Sequence, residues 1–444
     1  KPNVVIMCVD AQGYQAVGVY GSPNIKTLYL GKMAKEGMRF TNFYTASPVC
    51  TPSRAALLTG CYPQRVGDLN VLFPDDSQGL SSKETTIAEM LRSNGYATAC
   101  IGKWHLGHHQ KFLPTQHGFD SYFGIPYSND MSIAKDMQLA AELNLRVDVT
   151  LDSMWKSKKN WVPLMRNEEV VEYPADQNTL TKRYTEEALQ FINDNHDRPF
   201  FLYLPHTMPH IPLYASADFE GTSEAGLYGD CIEEIDWSVG QIMQTLKRLK
   251  LEQNTIVFYT SDNGPWDLKG NATDKVKGNK NRRIGGSALP LRGFKFQAWE
   301  GGMRVPAVAW WPGQFPANTT CDEVAGTIDI LPTLAQLSQG SILPELEIDG
   351  KSIAPLLLDP DGASSPHAAY FYRDEAVRVG PWKGVIHPNS KDFELYDLDK
   401  DIAESNNLAS EHPERAESML LLLKAHCKKM ELNKRPCGEV EVRK

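Results

Sequence analysis

The sequence contains no apolar run long enough to cross a membrane, although the chain has 444 residues. Its longest apolar stretches, such as 4–9, have the length of a β-strand and fall short of the ~20 residues that a transmembrane helix needs. The chain also lacks an excess of basic residues: its formal net charge is −9, which argues against general nucleic-acid binding. An anionic ligand must therefore be bound by a local group of cations and not by the surface as a whole.

Cysteine is scarce, with eight residues in the whole chain, so the fold is not a disulfide scaffold. Cys8 lies in an apolar stretch and is expected to be a buried thiol. Cys427 and Cys437 flank a short charged segment, and both a disulfide and two free thiols fit that spacing. A hydrophobic content of 41% is typical of a globular protein, and at this length two domains are expected.

Apolar strand patterns alternate with helical patterns over the first 360 residues. Strands are predicted at four positions along the chain, namely 4–9, 96–102, 200–204 and 255–260. Helices are predicted at about 83–94 and between the last two strands, where apolar residues recur on one helical face. This order predicts an α/β fold with a mainly parallel sheet sandwiched between helices.

After about residue 360 the pattern changes. Short strand-like pieces joined by turns predict an antiparallel sheet, at 368–372, 376–379, 382–386 and 393–396. A helix is predicted at 414–429. We therefore expect a larger domain at 1–360, which the motifs below identify as catalytic, and a smaller C-terminal α+β domain at 361–444.

Polar residues follow each of the four predicted strands of the larger domain. They are Asp10 after the first strand, Lys103 and His105 after the second, His206 and His210 after the third, and Asp262 and Asn263 after the fourth. Ligands bind at the carboxyl ends of strands in sheets of this kind. The pattern therefore predicts a single composite site.

The most informative motif is at residues 50–60, which read Cys-Thr-Pro-Ser-Arg-Ala-Ala-Leu-Leu-Thr-Gly. Pro52 fixes the backbone just after Cys50, Ser53 is placed to cap the following helix, and Arg54 adds a permanent cation. The run resembles the signature of the sulfatase family, in which the cysteine is converted to an aldehyde-bearing formylglycine. The alternative is a buried cysteine that merely enters a helix.

The resemblance extends over nearly the whole chain. It points to the type I, formylglycine-dependent sulfatases near arylsulfatase A and N-acetylgalactosamine-6-sulfatase, and so to an alkaline-phosphatase-like fold. Residues 102–107, Gly-Lys-Trp-His-Leu-Gly, match a second motif of the family. The resemblance implies that Lys103 contacts the formylglycine and the sulfate, and that His105 deprotonates the spare hydroxyl. Residues 124–128 resemble an arylsulfatase pattern that places Ser128 near the substrate, whereas a hydroxyl in a turn is the alternative.

Two further segments resemble sequences of the sulfatase family that contact the leaving group. His210, followed by Ile211 and Pro212, matches the histidine that protonates the departing ester oxygen, a role that suits imidazole near pH 7. His206 either lines the substrate pocket or hydrogen-bonds a backbone carbonyl. Lys295 matches the lysine that holds the sulfate and the leaving oxygen; without the resemblance it is simply a loop lysine.

The resemblance also implies one Ca²⁺ ion, bound by Asp10, Asp262, Asn263 and the oxygen of the modified Cys50. A carboxylate beside an amide oxygen suits a hard cation, although the Ser-Asp-Asn-Gly run alone is also common in turns. The family usually has a second aspartate directly after the first, where this chain has Ala11. We therefore expect weaker metal binding and impaired turnover.

Further departures lie nearby. Ala16 stands where aspartate is frequent, and residues 28–31 read Leu-Tyr-Leu-Gly in place of Pro-Asn-Leu-Asp. The resemblance implies a sulfuric ester hydrolase that releases sulfate from a sulfated carbohydrate or an aryl sulfate. A phosphoesterase of the same superfamily and a non-catalytic protein that binds sulfated glycans remain as alternatives.

The same resemblance implies partners and a compartment. A formylglycine-generating or other maturing enzyme is expected to modify Cys50. We expect export to the periplasm, the outside or the lysosome, with a signal peptide removed or omitted, because the first residues already lead into a strand. The substrate's identity and the oligomeric state are not encoded in any readable motif.

Overall fold

The computed structural model describes residues 1–156, 158, 160–266, 285–343 and 345–440. Its strands are β1 (Asn3–Val9), β2 (Met38–Phe40), β3 (Phe43–Tyr44), β4 (Gln78–Gly79), β5 (Ala97–Ile101), β6 (Ser121–Gly124), β7 (Gln138–Leu145), β8 (Leu164–Arg166), β9 (Glu169–Tyr173), β10 (Phe200–Pro205), β11 (Thr255–Ser261), β12 (Ala307–Trp310), β13 (Thr319–Cys321), β14 (Ala325–Gly326), β15 (Tyr370–Tyr372), β16 (Ala376–Val379), β17 (Trp382–Ile386), β18 (Phe393–Asp397) and β19 (Gly438–Glu439).

The α-helices of these residues are α1 (Leu28–Glu36), α2 (Cys50–Thr59), α3 (Ile87–Ser93), α4 (Leu151–Met154), α5 (Leu180–Asp194), α6 (Leu227–Arg248), α7 (Glu300–Met303), α8 (Ile330–Ser338), α9 (Ala354–Leu358) and α10 (Pro413–Leu432). Helix α3 begins later than the sequence predicts because Thr86 caps it, in a capping box with Glu89.

The large sheet has eleven strands in the order β13-β2-β12-β11-β1-β10-β5-β6-β8-β9-β7. Its five central strands, from β11 to β6, run parallel, whereas β12 and β8 join them in antiparallel pairs. Helices α5 and α6 pack on each other, and α5 also contacts β10 and β5. Every residue of β1 is buried, as expected of a strand that is covered on both faces. The mainly parallel α/β sheet is therefore confirmed, and the antiparallel pairs that β12 and β8 form on either side of the central strands are an addition.

A separate four-stranded antiparallel sheet, β15-β16-β17-β18, lies near the C-terminus, with α10 packed on it. This confirms the smaller antiparallel sheet; the boundary near residue 360 stays a prediction. Cys427 and Cys437 are free thiols in the structure and are not joined. Among the described residues, no helix combines the length and the apolar character that a membrane crossing requires.

A buried ionic cluster joins the small sheet to the rest of the molecule. Lys383 of β17 lies 3.0 Å from Glu300 of α7 and 2.7 Å from Glu404, and all three side chains are fully buried. Tyr44 donates a hydrogen bond of 2.7 Å to the same Glu300 and contacts the guanidinium of Arg378 on β16. A buried charge of this kind requires its partners, so these contacts fix how the small sheet sits against α7.

Candidate active site

The carboxyl ends of the central strands bring the predicted polar residues together. Asp10 follows β1, which pairs with both β10 and β11. Its Oδ2 atom lies 2.5 Å from the amine of Lys103, after β5, and 3.0 Å from the guanidinium of Arg54. Arg54 also contacts Asp262, after β11, at 2.8 Å. All four side chains are buried, so they form one charged cluster inside the protein.

Helix α2 positions Cys50 and Arg54. Cys50 is the first residue of the helix and Arg54 follows one turn later, so both side chains lie on the same helical face. The helix amide of Ser53 donates to the carbonyl of Val49, which places Ser53 inside the first turn. The prediction that Ser53 caps the helix is therefore wrong; its hydroxyl contacts the Thr45 hydroxyl instead.

Gly102 allows the Lys103 segment to approach the end of β10. Its φ is +135°, and a Cβ atom there would lie 2.0 Å from the carbonyl oxygen of Pro205. A side chain at this position is therefore excluded by both conformation and space. The amide of Lys103 donates to the same carbonyl at 2.8 Å, and its amine donates to the Ser128 hydroxyl at 3.0 Å.

His105 is held as a neutral ring with one free nitrogen. Its Nε2 atom lies 2.9 Å from the carbonyl oxygen of Leu72; a carbonyl only accepts, so Nε2 carries the proton. The Nδ1 atom is buried and has no hydrogen-bond partner among the described residues. Burial and the nearby Lys103 charge hold the pKa of His105 well below its usual value. The free Nδ1 lone pair can therefore accept a proton.

The ring of His210 is oriented oppositely to that of His105, with Nδ1 and not Nε2 facing a backbone carbonyl. Its Nδ1 atom lies 2.7 Å from the carbonyl oxygen of Ile211 and 3.0 Å from Oδ1 of Asn129, whereas Nε2 lies 3.3 Å from the Ser128 hydroxyl. Burial and the charge of Lys295 hold the pKa of His210 well below 6.5. Nε2 can therefore donate a proton only after the ring has gained one. The sequence reasoning missed Asn129, whose one signal is that it directly follows Ser128.

Lys295 completes the group of cations. Its buried amine lies 3.8 Å from Asp10 Oδ1 and makes no hydrogen bond within the described part of the chain. The amine lies 5.1 Å from the ring centre of Trp266, and that ring also contacts the rings of His210 and Phe296 at 5.4 and 5.2 Å. Trp266 was missed, although it follows the predicted metal-binding motif by only three residues.

The arrangement of oxygen atoms fits a hard cation. Asp10 Oδ1 and Asn263 Oδ1 are buried, and neither has a hydrogen-bond partner in the described ranges. Burial and the charge of Asp10 raise the pKa of Asp262 to about 6. Burial also acts to raise the pKa of Asp10, but Lys103 and the neighbouring cations outweigh it and the pKa is lowered. Two buried carboxylates with an unpartnered amide oxygen are a suitable ligand set for Ca²⁺.

Ala11 occupies a backbone conformation that favours other residues. Its φ is 60°, in the left-handed region, where aspartate and asparagine are enriched several-fold among non-glycine residues. Its side chain is buried, and its amide donates to Asp262 Oδ1 at 3.1 Å. The methyl group therefore stands beside the candidate metal ligands.

His206 contacts a side chain of α6, and neither predicted role, lining the substrate pocket or bonding a backbone carbonyl, is tested by this contact. Its Nε2 atom lies 3.4 Å from the hydroxyl of Ser238 on α6, and burial lowers its pKa to about 3. Its amide donates to the carbonyl of Cys8 at 2.7 Å. The side chain is therefore fully buried against α6.

Comparison with known proteins identifies the family to which this chain belongs. The family model described as Sulfatase matches residues 2–341, and a model described as N-sulphoglucosamine sulphohydrolase, C-terminal, matches residues 294–431. The chain belongs to the sulfatase family. This sulfatase is therefore an enzyme that hydrolyses sulfate esters, as the sequence motifs imply.

Individual relatives of this chain are also sulfatases. An arylsulfatase of Hemicentrotus pulcherrimus is 38% identical over 403 residues, which are 86% of this chain and 67% of the relative. The N-acetylgalactosamine-6-sulfatase of Mus musculus is 35% identical over 436 residues, or 92% of this chain and 76% of the relative. The predicted likeness to the latter enzyme is confirmed.

Solved structures share the fold of this sulfatase. The PsFucS1 sulfatase from Pseudoalteromonas sp. has a TM-score of 0.79 at 25% identity, and the match covers 99% of this chain and 92% of that chain. Ps i-CgsB in complex with k-i-k-neocarrahexaose has a TM-score of 0.79 at 26% identity, over 98% and 94% of the two chains.

Proposed function

We propose that this sulfatase releases inorganic sulfate from a sulfated sugar or an aryl sulfate through a formylglycine derived from Cys50. One observation carries the proposal: three buried cations, Arg54, Lys103 and Lys295, surround Asp10 at the strand ends. Cys50 begins α2 one helical turn before Arg54 and on the same helical face, which supports its position beside these cations. A sulfate monoester is an anion and matches such a pocket.

The modified residue and a metal ion would supply chemistry that the unmodified chain lacks. A hydrated aldehyde at position 50 offers two geminal hydroxyls, one to attack sulfur and one to expel the sulfate. A divalent cation such as Ca²⁺, held by Asp10, Asp262 and Asn263, would polarise the reacting oxygens. Arg54 and Lys103 hold the sulfate oxygens in place, and both are preorganised by buried carboxylates.

The two histidines move protons at opposite sides of the sulfate. His105 accepts a proton at Nδ1 from the spare hydroxyl at position 50, because its Nε2 proton is committed to Leu72. His210 donates from Nε2 to the departing ester oxygen once its ring is protonated. Ser128 lies between Lys103 and His210, where its hydroxyl can contact the sulfate or the ester oxygen.

A ring-bearing leaving group fits the aromatic surface beside His210. Trp266 and Phe296 line this side, and rings of sugars and aryl groups pack well on such faces. The likeness to an N-acetylgalactosamine-6-sulfatase and to a structure complexed with k-i-k-neocarrahexaose favours a sulfated carbohydrate. By analogy with these relatives, we infer that a maturing enzyme modifies Cys50 and that the protein is exported from the cytoplasm.

Ala11 is inferred to weaken the metal site and to lower turnover. Calcium takes six to eight oxygen ligands, and a methyl group supplies none. The remaining ligands are retained, so turnover is reduced and not abolished.

The test combines mass spectrometry with an assay. The protein is produced together with a formylglycine-generating enzyme, and the mass of the peptide that contains residue 50 is measured by mass spectrometry. We expect the aldehyde mass, together with sulfate release from 4-nitrophenyl sulfate that exceeds phosphate release from 4-nitrophenyl phosphate. Cys50→Ala should lose both the aldehyde and the activity, whereas Cys61→Ser, at another buried cysteine, should keep them. Full activity of Cys50→Ala would refute the proposal.

A further inference from the structure

A second group of potential metal ligands lies just beyond the Lys103 motif. His108 Nε2 is 3.3 Å from Asp136 Oδ1, and His109 Nδ1 contacts Asp136 Oδ2. The two imidazole rings are tilted by 31° with their centres 4.2 Å apart. The candidate ligand atoms of all three residues lie within 4.8 Å of one another. Two imidazole nitrogens and a carboxylate therefore converge at one point.

The tautomer of His109 directs a lone pair at this point. Its Nε2 atom lies 3.1 Å from the backbone carbonyl oxygen of Asp76, which accepts only, so Nε2 carries the proton of the neutral ring. The lone pair on Nδ1 then faces the Asp136 carboxylate, and two electron-rich atoms in contact repel unless a cation lies between them. A backbone carbonyl that fixes the second nitrogen is the usual support of a metal-binding histidine.

His108 provides an independent observation. Its side chain is 3% exposed, yet Nε2 forms no hydrogen bond of normal geometry with any described residue, despite the short separation from Asp136. Buried polar atoms are nearly always satisfied. A bound ion would satisfy this nitrogen, and the exposed side of Asp136 gives the ion a path from solvent.

We propose that His108, His109 and Asp136 bind a divalent transition-metal ion of the Zn²⁺ class, at a site separate from the one at Asp10 and Asp262. Imidazole ligands select zinc, cobalt or nickel over calcium and magnesium. Three protein ligands leave one position of a tetrahedral ion for water. The ligand set at Asp10, Asp262 and Asn263 consists of oxygens, so the two sites select different ions.

The proposed ion would stabilise the segment that contains Leu72 and Asp76, whose Leu72 carbonyl accepts the hydrogen bond of His105. Asp76, whose carbonyl orients His109, lies four residues after Leu72, whose carbonyl holds the proton of His105. The same ion would tie that segment to the loop of Asp136, directly before β7. The metal is therefore inferred to have a positioning role.

The alternative to a metal ion is a proton that lies between His109 Nδ1 and the Asp136 carboxylate. With a proton on Nδ1, His109 becomes an imidazolium ion paired to Asp136, and this hydrogen bond raises the pKa of His109. Titration with Co²⁺ distinguishes the two occupants, because bound Co²⁺ shows visible d–d absorption whose intensity reports its geometry. Excess Ca²⁺ keeps the oxygen site filled during the titration.

We expect one saturable Co²⁺ site with intense visible absorption, which Zn²⁺ bleaches. Asp136→Asn, on an exposed loop, and His109→Gln should each lose the absorption while the circular dichroism spectrum is unchanged. His196→Gln, at an exposed histidine on the surface, should keep it. Absence of the absorption in the parent protein, or its persistence in both ligand variants, would overturn the proposal. The readout is metal binding, so it is independent of whether Cys50 is modified or the enzyme is active.

Discussion

The backbone amide of Ala11 donates a hydrogen bond of 3.1 Å to Asp262 Oδ1, across the ends of the adjacent strands β1 and β11. Through this bond the backbone of residue 11 is fixed directly against a candidate metal ligand. A carboxylate at this position would start from the same backbone, at a φ that aspartate tolerates well. The backbone conformation at this position therefore suits an aspartate.

Ala11→Asp is expected to raise the affinity for Ca²⁺ by roughly one to two orders of magnitude, because affinity at such sites follows the number of charged ligands. Turnover of an aryl sulfate should rise with it. Calorimetric titration with Ca²⁺ and initial rates measure the two effects. Ala11→Asn, which has similar size but no charge, should give the smaller gain; equal affinities for all three proteins would contradict the inference.

Loss of His210 should depend on the leaving group. His210→Ala is expected to reduce turnover of an alkyl or sugar sulfate by about 10²–10⁴-fold, the usual contribution of a general acid. A 4-nitrophenyl sulfate, whose leaving group needs no proton, should lose far less. His206→Gln, at the histidine that contacts Ser238, should show no such dependence on the leaving group.

The same histidine should set the pH dependence of the reaction. Burial and Lys295 hold the pKa of His210 below 6.5, so the protonated fraction grows as the pH falls. Turnover of alkyl sulfates should therefore increase toward acidic pH, until another group is protonated. A pH profile that rises toward alkaline pH would argue against proton donation by His210.

Trp266 is expected to bind the ring of the substrate. Trp266→Ala should raise KM for a sulfated sugar by about tenfold, on the scale of 1–2 kcal/mol for a lost aromatic contact, while kcat changes little. Trp311→Ala provides the control, since Trp311 packs against Phe315 in another part of the protein. A fall in kcat with unchanged KM would instead indicate that Trp266 positions Lys295 or His210.

Lys383 should be essential for stability. Lys383→Met removes the cation that the buried Glu300 and Glu404 share and leaves Glu300 with Arg304 at 3.6 Å; breaking such a buried pair typically costs about 3–5 kcal/mol of the free energy of unfolding. Lys400→Met removes an exposed lysine from its pair with Asp397 and should leave the stability nearly unchanged. Urea denaturation of both variants measures the difference, and similar midpoints would show that the buried cluster is not needed.

Glu404 should make the stability depend on pH. Burial, partly offset by Lys383, raises its pKa from 4.5 to about 7, so the native state binds more protons than the unfolded state between these values. The free energy of unfolding should therefore fall as the pH rises from 4.5 to 7. Glu404→Gln should flatten this slope, whereas Glu411→Gln, at an exposed glutamate, should retain it; equal slopes would contradict the assignment.

Much of the core could be predicted from the sequence because its signals are local. The run 4–9 is apolar throughout, and the structure shows a fully buried strand there. The short antiparallel strands near the C-terminus were equally visible, since each lies between turn residues. The outer strands β7 and β8 were missed because β7 contains no fully buried residue and β8 is only three residues long, so neither has the apolar run that predicts a strand.

The sequence by itself determined the motifs at Cys50, Lys103 and Asp262, and with them the family of the enzyme, because those signatures are contiguous in the chain. Only the tertiary structure decided which nitrogen of His105 carries the proton, that His206 contacts α6, and that Trp266 lies beside His210. These facts depend on contacts between segments that are far apart in sequence. A side chain's direction and protonation follow from the partners that folding brings to it, and no local pattern records them.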